Sequence, residues 1–119
     1  MLPQKTAIIL GVTADIGRGL AERLLGDGWH VIGVGRTLDR VQDLSDAGKL
    51  QLYQCDIAAK ESVRDLVSIL RNKEVTWDLL LSSVGTMEPI GRFFDLDFDE
   101  WKRSVTINFI AQMRALQAL

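Results

Sequence analysis

The feature of this chain that most restricts its fold is the passage from TAIIL (6–10) into LGVTADIGRGLAERL (10–24). A short apolar run suited to a buried strand meets a turn with glycines at 11, 17 and 19. That turn opens into a segment with Ile16, Leu20 and Leu24 spaced four apart, as on one face of a helix. A strand passing through a glycine turn into a helix gathers backbone N–H groups and the positive end of the helix dipole at one point, where a pyrophosphate can sit. Gly11 permits the tight turn, and Gly17 lets helix and strand approach closely. The spacing is G-x5-G followed by Gly19, not the G-x-G-x-x-G of the common dinucleotide fingerprint. Spacing alone therefore leaves a plain helix–strand turn open.

The alternation continues along the chain. HVIGVG (30–35) reads as a second strand, Leu38 to Asp46 as a short polar helix, and LQLYQC (50–55) as a third strand, with Gly26 and Gly28 ending the first helix and Gly48 turning the chain into strand three. AKESVRDLVSILRNK (59–73) sets Val63, Leu66, Val67 and Leu70 on an amphipathic stripe, and WDLLLSS (77–83) reads as strand four. After VGTMEPIGRFFDL, Asp97 with Glu100 three residues later makes a capping-box-like start to a last helix. That helix carries Phe98, Trp101, Val105, Phe109, Met113 and Leu116 on one side. Apolar runs alternating with helical periods are the mark of βαβ units around a parallel sheet. The expected fold is a Rossmann-like α/β domain over residues 1–119, with helices on both faces of a parallel sheet truncated to about four strands in the order 3-2-1-4.

Composition narrows the function. At 119 residues there is room for one core and none for a separate substrate domain. A net charge of -2 gives no general attraction to nucleic acid or anionic lipid, so any bound anion has to be held by local geometry. No segment approaches the roughly 20 apolar residues of a membrane span. The single cysteine, Cys55, excludes an internal disulfide and an all-cysteine metal site and reads as inert packing. No metal site is expected. A soluble, cytoplasmic protein fits these features, and Trp29, Trp77 and Trp101 read as core or interface residues. Ser82 and Ser83 have no histidine base, because the sole histidine, His30, begins strand two.

LGVTADIG resembles the TGxxxGxG turn of the short-chain dehydrogenases/reductases, with Leu10 in the Thr position, Gly11 and Gly17 in the outer glycine positions and Asp15 replacing the middle glycine. Three further segments follow that family's order. Arg36 in VIGVGRT stands at the end of strand two, where an NAD-selective site places an acid; with Thr37 and Arg40 near it, it offers a planar cation suited to a 2′-phosphate. The resemblance thus implies NADP(H) over NAD(H), with Arg36 as a solvated loop residue the bland alternative. CDI (55–57) resembles the pair that touches the adenine ring: Asp56 would accept from the amino group and Ile57 cover the ring, or Asp56 would cap the next helix. SSVG (82–85) aligns with NNAG, so that Ser83, Val84 and Gly85 would approach the nicotinamide ribose, with the amide fixing of the sheet weakened by the two serines.

Gly11, Thr13, Asp15, Ile16 and Gly17 would form the phosphate turn, with Asp15 either repelling phosphate or capping the helix. Asn108 in VTINFI matches the Asn that holds a water in the family's proton relay; a buried asparagine bonded to backbone explains it equally well. The family's Ser, Tyr and Lys, the last two in YxxxK, are absent: the only tyrosine, Tyr53, is followed four places on by Ile57. The resemblance covers essentially the whole chain but only the first half of the family fold. Its implied activity, hydride transfer to or from a carbonyl or alcohol, would need an acid/base group from elsewhere. A non-catalytic NADP(H)-binding module and an assembly fragment are the alternatives. Strand four would be an open edge and the last helix resembles the family's dimer helix, so a homo-oligomer through either is expected.

Overall fold

The computed structural model describes residues 4–44 and 48–119. Four strands, β1 (Thr6–Leu10), β2 (His30–Gly35), β3 (Leu50–Gln54) and β4 (Leu79–Ser82), form one parallel sheet in the order β3-β2-β1-β4. The expected Rossmann-like arrangement is therefore the observed one. The register sets Ile8 beside Ile32 on one side and Leu80 on the other, so β1 is paired along both edges. β1 and β2 are buried almost throughout, whereas every residue of β4 is only half-buried, as befits a strand paired along one edge among the described residues.

Side chains alternate between two cores because successive strand residues point to opposite faces. Ile8, Leu10, Ile32 and Val34 pack on one face against Val63, Leu66 and Leu70 of α2 (Lys60–Asn72) and against Ala111 and Ala115 of the last helix. Ala7, Ile9 and Val31 pack on the other against Ala21 and Leu24 of α1 (Asp15–Gly26) and against Val41. Each fully buried Ile, Leu or Val contributes about 1.5–3 kcal/mol relative to leaving it in water. The two cores on a shared sheet therefore hold both helix layers to the same four strands.

Three sequence expectations change. First, α1 does not bury the Ile16, Leu20, Leu24 line: Gly17, Ala21 and Leu24 face the sheet and Ile16 is 75% exposed. A glycine and an alanine in the contact face bring the helix closer than a leucine stripe allows, and this rotates Ile16 outward. Second, the segment after β2 forms only a single 3-10 turn, Asp39–Val41, pinned by the fully buried Val41; the expected helix end at Asp46 lies outside the described residues.

Third, the last helix runs as α3 (Phe98–Val105), a π turn (Thr106–Ile110) and α4 (Ala111–Ala118). Its expected apolar side is the outer one, with Phe98, Phe109, Met113 and Leu116 exposed, while Ala111 and Ala115 face the core. The wider π turn shifts the helix phase, and the small alanines sit where a large stripe was expected. Of the core or interface placement expected for Trp77 and Trp101, the core half does not hold, because both are exposed; Trp101 packs edge-on against Phe93 at 5.7 Å between ring centres in an exposed aromatic group. At the start of α3, Asp97 caps by accepting from the Asp99 N–H at 2.8 Å.

The α1 register is open to measurement. Leu24→Ala should cost about 2–4 kcal/mol in urea unfolding, and Ile16→Ala should stay within about 0.5 kcal/mol of the parent. Equal losses at the two positions would mean that Ile16 is buried.

Candidate functional site

The carboxyl ends of the four strands are laced together. Gly11 N–H donates to the Val34 carbonyl at 2.8 Å, Ser83 N–H to the Leu10 carbonyl at 2.8 Å, and Cys55 N–H to the Gly35 carbonyl at 2.9 Å. Above this row opens a cleft of about 790 Å³, lined by Gly11, Thr13, Arg36, Thr37, Asp56, Ile57, Ser83, Val84 and Gly85 among others. It lies where the chain leaves β1 towards α1 on one face and reaches β4 from α2 on the other, the switch point at which open α/β sheets bind ligands.

The turn after β1 is built by close approach. Gly11 has φ of +81°, a left-handed conformation that favours glycine, and a Cβ there would meet the Val84 backbone nitrogen at 2.9 Å. Gly17 is more restricted: a Cβ would run into the Gly11 carbonyl and stand 2.6 Å from Ser83 Oγ. Ser83 Oγ donates to the Gly11 carbonyl at 2.9 Å, locking the β4 exit onto the turn. Ser83 thus fixes the sheet with a hydroxyl where the resemblance led us to expect weakening.

No side chain caps the N-terminus of α1, whose N-cap is Ala14. The capping role considered for Asp15 is therefore not the observed one, and its carboxylate sits exposed in the first helical turn. An uncapped helix end beside a glycine cradle fits a phosphate group. Asp15, Ile16 and Gly17 lie in this turn but outside the cleft lining.

At the β2 end, Arg36 is exposed, and its carbonyl accepts from Gln54 Nε2 at 3.0 Å. Among the described residues its guanidinium has no carboxylate within ion-pair distance. At the β3 end, Asp56 Oδ1 accepts from Ala58 N–H at 3.0 Å, while the N-cap of α2 is Ala59, so Asp56 closes a local turn instead of capping the helix. Ile57 borders the cleft but is 4% exposed and belongs mainly to the core. Cys55 is buried beside it, and burial pushes its thiol pKa up, in keeping with an inert role.

The β4 exit is zipped to the last helix. Asn108 Oδ1 accepts from Thr86 N–H at 2.7 Å and Asn108 Nδ2 donates to the Thr86 carbonyl at 3.0 Å, although the residue itself is exposed and not buried as expected. Gln112, which sequence reading passed over, accepts from Ser82 Oγ at 2.9 Å through Oε1 and donates from Nε2 to the Val84 carbonyl at 2.6 Å. The same Nε2 reaches the Asn108 carbonyl at 3.1 Å, inside the π turn. Its spacing of four from Asn108 on an otherwise apolar stretch was the available signal. Gln112 thereby supplies the amide that the SSVG segment lacks.

Beyond Gly85 the wall becomes acidic, with Glu88, Asp95, Asp97 and Glu100 joined by Arg103. Tyr53 accepts from Lys73 Nζ at 3.0 Å, but this pair does not border the cleft. No group of three or more His, Cys, Asp or Glu suited to a metal occurs among the described residues.

Strand order, crossover faces and glycine turn define a Rossmann-type nucleotide-binding architecture. The chain belongs to the short-chain dehydrogenase family, whose profile matches residues 5–119. It is 32% identical over 120 residues to the uncharacterized oxidoreductase YvaG of Bacillus subtilis (strain 168), covering 95% of this chain and 44% of that protein. The chain spans about half the length of the curated relatives it matches. Among solved structures, a short chain dehydrogenase from Leptospira borgpetersenii with bound NAD+ superposes with a TM-score of 0.87 at 22% identity, over 98% of this chain and 45% of that one. ElxO with NADP bound gives 0.85 at 20% identity, over 98% and 49%. These two likenesses establish the fold.

The glycine cradle yields a paired test. Gly17→Ala should lower stability by about 2 kcal/mol or more, because Ser83 and the Gly11 carbonyl cannot both stay in place. Gly19→Ala, where a Cβ meets nothing within 4 Å, should be neutral or stabilising by up to about 1 kcal/mol. Thermal melts of both variants decide it, and matching shifts would refute the close approach.

Proposed function

We propose that residues 1–119 form a dinucleotide-binding unit that takes NADP(H) in the cleft and serves a short-chain oxidoreductase acting on a carbonyl or alcohol. The observation that carries the cofactor choice is Arg36: exposed, bordering the cleft at the end of β2, and without a carboxylate partner among the described residues. A guanidinium there suits the two oxygens of a 2′-phosphate, with the Thr37 hydroxyl beside it in sequence, whereas an NAD-selective site needs an acid for the ribose hydroxyls.

Once bound, the nicotinamide cofactor supplies the hydride chemistry. The chain's own residues bind and orient. Gly11, Thr13, Asp15, Ile16 and Gly17 form the pyrophosphate turn, with Asp15 the unfavourable charge in it. Asp56 and Ile57 border the adenine position. Ser83, Val84 and Gly85 present backbone at the nicotinamide ribose, held there by Gln112 and Asn108. The cytoplasm suits a chain whose single cysteine is a buried free thiol.

One observation favours a non-catalytic variant of this reading. Asn108 bonds both backbone groups of Thr86 and also donates from Nδ2 to Ser104 Oγ, so its side chain positions the β4 exit and keeps only the second lone pair of Oδ1 for a relay water. Association of two copies through the last helix, whose large apolar side chains face outward, or through the half-buried β4 edge accompanies either form.

Titration of the purified chain with NADPH and NADH, followed by nicotinamide fluorescence, tests the proposal. Saturable binding that favours NADPH is expected, and Arg36→Asp should weaken NADPH by about tenfold or more while leaving NADH within about twofold. Equal loss of both cofactors would remove the 2′-phosphate role. Turnover of a carbonyl substrate panel, or its absence in a binding-competent protein, then separates the catalytic form from the non-catalytic one.

A further inference from the structure

The loop that follows Arg36 is tied down from a residue of the glycine turn. Arg18, one place after Gly17, extends its guanidinium from α1 to that loop. It donates to both carboxylate oxygens of Asp43, at 2.9 and 3.0 Å, and to the Arg40 carbonyl, while its Nε pairs with Glu22 at 3.0 Å. The pairing holds the Arg18 guanidinium above its ordinary pKa and the Asp43 carboxyl below its own, each through their mutual hydrogen bonds first. Between the two positions that Arg18 contacts, Val41 is fully buried and its N–H donates to the Leu38 carbonyl at 3.1 Å. On the opposite side, Gln54 holds the Arg36 carbonyl. The short segment that carries Arg36, Thr37 and Arg40 is thus fastened at both ends and in its middle.

An isolated surface ion pair is worth little, but a two-pronged guanidinium–carboxylate contact fixes direction as well as distance. Asp43 is 70% exposed, so its bond to Arg18 adds little to the core. What it does fix is the path of the loop relative to the phosphate turn. We infer that Arg18 is a positioning residue for cofactor selectivity, holding the Arg36–Asp43 loop against α1 so that Arg36 meets a 2′-phosphate in a set orientation. In this reading Arg18 acts through the loop, since Asp43, Glu22 and the Arg40 carbonyl take four of its five N–H donors. The inference rests on the NADP(H) reading above.

The test uses Arg18→Gln and Asp43→Asn, singly and together, in the full 119-residue chain, with NADPH and NADH titrated in parallel and folding checked by circular dichroism. The two single variants break the same clamp while changing the net charge in opposite directions. Positioning requires both to weaken NADPH by about fivefold with NADH held within about twofold, and the double variant to be no worse than either single. A purely electrostatic origin instead makes Arg18→Gln weaken NADPH and Asp43→Asn tighten it, which overturns the inference. Parallel loss of both cofactors marks a merely structural clamp and overturns it too. Arg36→Asp serves as the reference: if it discriminates between the cofactors and the clamp variants do not, only the positioning role fails. If Arg36→Asp does not discriminate, the NADP(H) reading fails and the inference with it.

Discussion

The structure depends on one close approach, between the start of α1 and the end of β1. Gly17 presses against the Gly11 carbonyl with no room for a Cβ, and Ser83, just after β4, donates into the same carbonyl at 2.9 Å. The end of β1, the start of α1 and a segment 72 residues further along the chain therefore meet at one peptide group. The distance between helix and sheet follows from it, and so does the face that α1 buries: Ala21 and Leu24 follow Gly17 inward, while Ile16 is turned out towards solvent. Because Ser83 also begins the β4 exit, the geometry of the turn and that of the cleft floor are set by the same atoms.

A second set of contacts repeats this logic on the other side of β4. Ser82 and Val84 are held by Gln112, and Thr86 is held by Asn108 through both of its backbone groups. Residues 82–86 thus leave the sheet with their backbone direction fixed at nearly every step. The π turn belongs to this arrangement. An added residue in the turn accompanies an arrangement in which Gln112 reaches Ser82 and Val84, Asn108 reaches Thr86, and Ala111 and Ala115 remain against the core. A regular helix with a large apolar stripe facing inward would satisfy the core and lose the polar zip.

Strand positions were legible because a parallel sheet covered on both faces needs continuous apolar runs, and TAIIL, HVIGVG and LLLS supply them. The glycines at 11 and 17 announced the turn for a steric reason that the Cβ contacts bear out. Helix faces were harder to read. Periodicity finds a line of large apolar residues, but in α1 and in the last helix contact is made by Gly17, Ala21, Ala111 and Ala115, whose smallness hides them from a hydrophobic pattern. The polar clamps were hidden for another reason: Arg18 with Asp43 and Ser82 with Gln112 lie 25 and 30 residues apart, and no local rule pairs them.

The cleft is uneven in charge, and this matters for a chain of net charge -2. Long-range attraction gives an anion no help in reaching it, so binding has to come from short-range donors: the uncapped end of α1, the backbone after β4 and the guanidinium at the end of β2. At the opposite end stand Glu88, Asp95, Asp97 and Glu100, with Arg103 among them and Asp95 paired to Arg92 at 2.7 Å. In the NADP(H) reading proposed above, a ligand with its charge concentrated at one end is disfavoured beside this wall and favoured beside Arg36. On the loop that carries Arg36, the Asp43 carboxylate is taken up by Arg18 of α1. That pairing takes one of the loop's carboxylates out of competition for the Arg36 guanidinium, while Asp39 stays exposed on the same loop.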